Sequence, residues 1–368
     1  MQECILVGCD LHDKTMLLKM ARGRRAASKA TWSNTPGGWR RMLVELRRRA
    51  EGRSIYFAYE ASCLGFGLYD FLSDAGVKAF VLAPTRIAKS VRQRRTKCDE
   101  KDADHILELL RAHVLAGTAL PAVWVPDPQT RDDREIVRAW LDVSKKVTRL
   151  KTQVKTLLKR TTTRRPEGLG SGWTQKFRAW LRGLTRSRSV LPAGARVHLG
   201  TLLRQLESLE KESKILRREV ERLSETPRYA HPARRLMAEV AGVGLITAMV
   251  FLTEMGDLGR FENRKQVGAY LGLTPSSDDT GESDRKGHIT HQGSPRVRRS
   301  LCQSVWAMRR DESCEENVYY DRLVAKNPKK KKIAVVACMR RMAVRMWHVG
   351  LEAQQETDVF GECATAAM

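Results

Sequence analysis

Acids are scarce in this chain. Across 368 residues there are 42 Asp and Glu against 67 Lys and Arg, a formal net charge of +25. Such an imbalance concerns partners rather than fold, with nucleic acid first and an anionic membrane second. Long apolar runs are also missing. The longest uncharged one, Val240–Thr253, is shorter than the ~20 residues of a spanning helix. It also carries Gly242 and Gly244, which fit a turn, so no membrane partner is expected. The apolar run starts near Ile5, so no signal peptide is expected before it. The eight cysteines include no CxxC pair, which excludes a zinc ribbon and a disulfide framework. Most read as small buried hydrophobes, and the expected compartment is a reducing, bacterial-type cytoplasm. With 42% hydrophobic and 30% charged residues, the chain reads as globular and long enough for two or three domains.

The few acids are placed where they are hardest to explain. Asp10 ends the apolar run Cys4–Cys9, and Glu60 ends Ile55–Tyr59. Asp99 and Asp102 open a helical stretch, three residues apart and so on one face. Carboxylates at strand ends are costly to bury unless a positive charge pairs with them. A sheet that brings Asp10, Glu60, Asp99 and Asp102 together offers hard oxygen ligands suited to Mg²⁺ or Mn²⁺. Two such ions clamp a phosphodiester and activate an attacking oxygen. An acid at a helix N-terminus also simply favours the dipole. Glu100 and Asp104 fit that description; it does not account for Asp10 and Glu60.

Residues 3 to about 120 alternate between strand and helix patterns. Strands are expected at Cys4–Cys9, Met16–Met20, Ile55–Tyr59 and Val77–Leu82, with helices over Trp39–Arg49, Leu64–Ala75 and Asp99 to Leu115. This order predicts an α/β domain over 1–122, a mixed sheet flanked by helices. A linker follows at Trp124–Pro128. Heptad spacing then runs through Ile136, Trp140, Val143, Val147, Leu150, Val154 and Leu157, and again from Leu202 to Leu223. The two runs define a coiled-coil connector over 129–226, either one helical hairpin or a pairing between subunits. Its insert, 161–195, is rich in Gly, Pro and basic residues. Trp173 and Trp180 there suit a small satellite core better than base stacking.

Between Lys145 and Arg165 there are nine Lys or Arg and no acid. Lys145, Lys146, Arg149, Lys151, Lys155, Lys159 and Arg160 are therefore candidate contacts to a polyanion, against the plainer reading of a soluble surface. A mostly helical third region spans 232–352, and 353–368 is expected to be a disordered tail. Gly242 and Gly244 precede a helix, where glycines either let N–H groups approach a phosphate or allow tight packing. Arg296 and Arg298 open another helix and are further candidate nucleic-acid contacts.

These stretches carry a resemblance. Val-Gly-Cys-Asp10, Tyr-Glu60-Ala-Ser and Lys97-Cys-Asp99-Glu-Lys-Asp102 resemble the DEDD, RuvC-like transposases of bacterial insertion sequences. Those enzymes are described as bridge-RNA-guided serine-type recombinases and are related to Piv-type DNA invertases. The C-terminal half is similar in order: Ala241-Gly-Val-Gly244, Tyr270-Leu-Gly-Leu-Thr-Pro275, Thr280-Gly281, Gly287-His-Ile-Thr290, Gln292-Gly293 and Val297-Arg298. The resemblance implies an RNase H-like N-terminal domain, a coiled-coil connector and a C-terminal transposase domain. It implies a hydroxyl of the C-terminal domain that attacks DNA, and Mg²⁺ on the four acids completing a composite site. It further implies donor and target DNA, a structured non-coding guide RNA and dimers that pair into a tetramer. The family nucleophile is a serine before glycine, five residues after the motif proline; here that register holds Thr280, with Ser276, Ser277 and Ser283 as substitutes. A threonine hydroxyl does the same chemistry, though its methyl restricts χ1. His291 stands where the family has lysine, and it keeps a phosphate contact only when protonated. The alternative function is a metal-dependent nuclease resembling a Holliday-junction resolvase, with water attacking; a third is a nucleic-acid-binding protein without catalysis.

Overall fold

The structure is a computed structural model describing residues 4–87, 98–280, 283–311 and 314–366; at 277–280, 283–286, 315 and 358–366 it describes the backbone alone. The chain divides into two compact units, Met1–Val125 and Pro126–Met368, inside the segment read as a linker.

The first unit is built on a five-stranded sheet. Strands β1 (Ile5–Leu11), β2 (Thr15–Arg22), β3 (Ser28–Ser33), β4 (Ile55–Glu60) and β5 (Lys78–Leu82) lie in the order β3-β2-β1-β4-β5. The first three run antiparallel, while β1–β4 and β4–β5 are parallel. This mixed sheet is consistent with the expected RNase H-like domain. Helices α1 (Pro36–Ala50) and α2 (Gly67–Asp74) supply the crossovers. One sheet face packs Val7, Cys9, Phe57 and Tyr59 against Met42, Leu46 and Leu72. The other packs Leu6 and Ala58 against Ile106, Leu107 and Leu110 of helix α3 (Asp99–Ala116). Both faces of β1 and β4 are thus covered, as parallel strands require. Strand β3 has no counterpart in the sequence reading. Its residues, Ser-Lys-Ala-Thr-Trp-Ser, lie at a sheet edge, and only Ala30 and Trp32 are apolar and packed on the core, so the alternation that marks a strand is too short to stand out.

In the second unit, α4 (Pro128–Arg160) and α6 (Ala193–Ser224) pair within the chain as a helical hairpin, which decides between the two arrangements left open by the heptads. The segment 161–195 is not wholly irregular: α5 (Gln175–Arg186) buries Phe177, Leu181 and Leu184 in one cluster with Val154, Leu157 and Leu203 of the hairpin. Trp173 and Trp180 flank Phe177 at ring distances of 5.3 and 5.6 Å, making the satellite core. Helices α7 (Pro227–Glu239), α8 (Leu245–Met255), α9 (Arg264–Tyr270), α10 (Pro295–Met308), α11 (Glu315–Lys326) and α12 (Lys331–Ala366) surround a separate core. Val137, Val220 and Leu223 of the hairpin belong to that core, so connector and C-terminal region are one unit rather than two.

A buried ionic joint reinforces this. Arg134 donates to the carbonyls of Thr253 and Glu254 at 2.6 and 2.8 Å. Arg138 grips both carboxylate oxygens of Glu254 at 2.7 and 3.1 Å. The tail differs from expectation too. Helix α12 continues through the region read as disordered from residue 353, because Ala353 is fully buried and Glu356 holds Arg235 at 2.9 Å. Among the described residues no helix is long and apolar enough to cross a membrane.

Breaking a buried ion pair by removing one partner costs about 3–5 kcal/mol. Arg138→Ala, which leaves Glu254 at 7% exposure without its partner, is expected to lower unfolding stability by an amount on that order in a urea titration. A change below about 0.5 kcal/mol, the range of ordinary surface substitutions, would show that the joint is not structural.

Candidate active site

Asp10 and Glu60 follow the last register pair of two parallel neighbours, Cys9 and Tyr59. They therefore stand side by side at the carboxyl ends of β1 and β4. Residues alternate faces along a strand, and Leu6 and Ala58 face α3, so Asp10 and Glu60 share that face.

What brings α3 to Asp10 is the glycine two positions earlier. A Cβ on Gly8 would lie 2.4 Å from the Ala103 carbonyl oxygen and 2.4 Å from the Leu107 nitrogen. Only the missing side chain lets the helix backbone rest on the strand. At 3.6 residues per turn, Ala103, Ile106, Leu107 and Leu110 form the stripe against the sheet. The helix acids then fall on its two flanks. Glu100 and Asp104 lie on one flank, where Lys19 meets them at 2.6 and 3.3 Å and Lys29 meets Glu100 at 2.7 Å. The two lysines hold the Glu100 carboxyl down to about 2, so it stays charged at any ordinary pH. Glu100 and Asp104 thus dock the helix. Asp99 and Asp102 lie on the other flank, toward Asp10.

There, ligand atoms of Asp10, His12 and Asp99 lie within 4.8 Å of one another. His12 Nε2 is 3.2 Å from Asp10 Oδ2 and 3.3 Å from Asp99 Oδ2. Burial raises the Asp10 carboxyl above its usual range; His12 opposes this, and the Asp99 and Asp102 charges add to the rise. Asp102 is thus close enough to act on Asp10, although it and Glu60 fall outside the 4.8 Å group. The donor set fits a hard divalent cation: crowded carboxylates whose mutual repulsion a cation would relieve, with one nitrogen donor. Asp99 and His12 are 57% and 47% exposed, which leaves the site open to a large substrate.

Sequence reasoning misses His12, which lies in a turn-like stretch. The signal is there: His12 follows Asp10 by two residues just past the end of β1, and alternation along an extended chain returns such a pair to one side.

In the second unit, several sequence motifs prove to be packing devices. Gly242 has φ +78, and a Cβ there would lie 2.3 Å from the Ser304 carbonyl oxygen, so close approach to α10 accounts for it. Gly244 has open space around it. Gly272 and Gly293, at φ +64 and +82, let the two loops touch backbone to backbone. Arg298 locks them: its Nη1 donates to the carbonyls of Leu271, Gln292 and Gly293 at 3.1, 3.0 and 3.1 Å. That bonding gives Arg298 a structural role beside the nucleic-acid contact expected of it. Arg296 reaches Asp142 at 3.8 Å, and His291 is exposed with φ +54.

Thr280 ends β6 (Pro275–Thr280), opposite Ser283 at the start of β7 (Ser283–Ile289). The two strands form a hairpin: Asp and Ser residues hide a strand from propensity, and the ladder sets Asp278 in register with Arg285. The side chains of Thr280, Ser277 and Ser283, and all of Gly281, lie outside the described residues. Ser276 is described, and its hydroxyl donates to the His288 carbonyl at 3.1 Å. On α4, Lys145, Lys146, Arg149, Lys155, Lys159 and Arg160 are exposed, whereas Lys151 is held by Glu210 at 3.0 Å.

Two family models match the chain. A DEDD-type model of the IS110 group, described as "Transposase", covers residues 7–163. One described as "Transposase IS116/IS110/IS902 family" covers residues 234–320. Among curated relatives, the putative transposase y4qE of Sinorhizobium fredii is 28% identical over 95% of this chain and 90% of its own length. The transposase for insertion sequence element IS1533 of Leptospira borgpetersenii is 24% identical over 84% of this chain and 86% of its own. A probable family 20 transposase of Pseudomonas aeruginosa is 33% identical over a shorter stretch, 32% of this chain. These matches and the acidic site define a DEDD-type DNA transposase, an enzyme of DNA cleavage and strand transfer. The chain belongs to the IS116/IS110/IS902 transposases of insertion sequences. A DEDD domain implies dependence on a divalent metal.

Gly8→Ala tests the assembly of the site without touching an acid. The added methyl must push α3 off β1, so Mn²⁺ affinity, read by the EPR signal of free Mn²⁺, is expected to fall by about tenfold or more, the scale seen when support of a ligand is lost. Wild-type affinity in a folded Gly8→Ala protein would show that the helix approach does not set the site.

Proposed function

We propose that this transposase is a recombinase that cuts and rejoins DNA through a covalent threonyl phosphodiester. In this reading Asp10, Glu60, Asp99 and Asp102 are the metal ligands, with His12 a nitrogen donor beside them. Mg²⁺ or Mn²⁺ fits these residues and would neutralise the charge that develops on the scissile phosphate. The observation that carries the reading is the meeting of Asp10, His12 and Asp99 within 4.8 Å at the end of β1.

Thr280 is the proposed nucleophile, because it keeps the motif register five residues after Pro275 and precedes Gly281. Attack by its hydroxyl forms an Oγ1–P bond as the P–O bond to the departing strand breaks. The hydroxyl proton passes to the departing oxygen or to solvent. Rejoining reverses the exchange with a new strand end. The exposed cations of α4 fit a phosphodiester backbone, and each contact of this kind makes affinity fall with salt. Donor and target DNA, a structured guide RNA and a dimer that pairs into a tetramer are proposed on the family resemblance.

The expected result is a protein–DNA adduct on a denaturing gel when protein, insertion-sequence end DNA, flanking RNA and Mg²⁺ are combined. Thr280→Ala abolishes it. Asp10→Ala abolishes cleavage while DNA affinity stays within about twofold, since the basic surface is intact. Cleavage without any adduct would favour attack by water, and an adduct that survives Thr280→Ala but not Ser277→Ala would move the nucleophile.

A further inference from the structure

A concave groove of about 900 Å³ lies in the second unit between α9, the start of α12 and the base of the β6–β7 hairpin. Arg264 and Lys265 line one side, and Lys330, Lys332, Arg340 and Arg341 line the other. Among the described residues no carboxylate lines the groove, and none of these six cations makes an ion pair. Several cations elsewhere in this unit are partnered, as with Arg138, Arg178, Arg235 and Arg345. Six like charges facing one cavity repel one another, so the arrangement is unfavourable until an anion enters. Gly268 makes it possible on one wall: a Cβ there would lie 3.0 Å from Arg340 Nε, so the arginine lies flat across α9.

The floor is of the opposite character. Leu273, Ile333, Val336, Ala337 and Val344 line it, with the Tyr319 ring beside them. Ile333 is 62% exposed, a large apolar side chain left in water. The Arg341 guanidinium sits 5.1 Å from the Tyr319 ring centre, joining the charged wall to the aromatic floor. A patch that meets only duplex phosphates has no use for an apolar floor. Bases reach such a floor when they are unpaired and splayed out, stacked on aromatic and apolar side chains beneath a charged rim.

We propose that this groove binds an unpaired nucleic-acid segment, its phosphates on the six cations and its bases on the Ile333–Tyr319 floor. Pro275, Gly287, His288 and Ile289 form the end of the groove. Thr280 lies five residues along β6 from Pro275, about 17 Å at strand rise. A strand held here is therefore anchored a few nucleotides from the residue proposed to attack. The proposal rests on the transposase reading for its substrate class, but not on the covalent step.

The test is fluorescence anisotropy of the full chain with labelled oligothymidylate, oligouridylate and a blunt DNA duplex. Lys332→Glu and Arg341→Glu, on α12, and Arg264→Glu, on α9, are each expected to weaken oligothymidylate binding by about tenfold and to flatten the salt slope by about 0.7 per cation lost. Ile333→Ser is expected to weaken single-strand binding about fivefold, a loss typical of a base-stacking contact, with duplex affinity unchanged. All four positions are exposed or half-exposed, so melting temperatures should stay at wild type, which guards against misfolding. An equal loss on both oligonucleotides assigns the groove to unpaired strands of either sugar, and a loss on one alone names it. Equal weakening of duplex and single strand, or no effect of Ile333→Ser, overturns the proposal. Adduct formation is scored separately: groove effects without an adduct sink only the covalent reading, and an adduct without groove effects sinks only the groove.

Discussion

The close approach of helix backbone to strand backbone at Gly8 governs the rest of the site. Van der Waals exclusion at that point decides whether α3 can lie on β1 at all, since any Cβ would meet Ala103 and Leu107 at 2.4 Å. Once the helix is down, its periodicity distributes the acids. Lys19, which pairs with Gly8 across β1 and β2, reaches up to Glu100 and Asp104 on one flank. Asp99 and Asp102 are thereby turned to the other flank, beside Asp10. One glycine and one lysine thus separate acids that dock a helix from acids that crowd into a site.

In a chain so rich in Lys and Arg, the group between Asp10 and Asp99 is a histidine. Among the described residues, His12 is the cation-capable side chain between them, at 3.2 and 3.3 Å from the two carboxylates. Burial and the neighbouring acids raise Asp10, and His12 lowers the cost of keeping it ionised through its charge and its hydrogen bond. In the second unit the inverse holds: cations gather in the groove beside α12 with no acid among the described lining residues. Each site is an excess of one sign that its substrate or ion would complete.

Much of this was legible in the sequence because burial writes itself as pattern. The apolar runs ending in Asp10 and Glu60 marked adjacent strand ends, and the Asp99–Asp102 spacing marked one helix face. What was hidden has definite causes. Strand β3 lies at an edge with only Ala30 and Trp32 turned to the core, and the β6–β7 hairpin is made largely of Ser, Asp and other polar residues, so neither carries a sustained apolar period. His12 stands two residues from Asp10 at the end of one strand, where the sequence reads as a turn. Arg298 and Gly242 belong to a family motif and suggest phosphate, yet close packing and three carbonyl bonds account for them. The groove joins residues from 264 to 344, a juxtaposition that only the fold creates.

In the proposed catalytic centre Asp10 and Asp99 share one divalent ion beside His12. Anomalous diffraction from crystals grown with Mn²⁺ tests this most directly. A manganese peak is expected within about 2.0–2.6 Å of carboxylate oxygens from both Asp10 and Asp99, the range of metal–oxygen bonds. Crystals saturated with Mn²⁺ that show no peak between these two residues, or a peak bound only elsewhere in the chain, would contradict it.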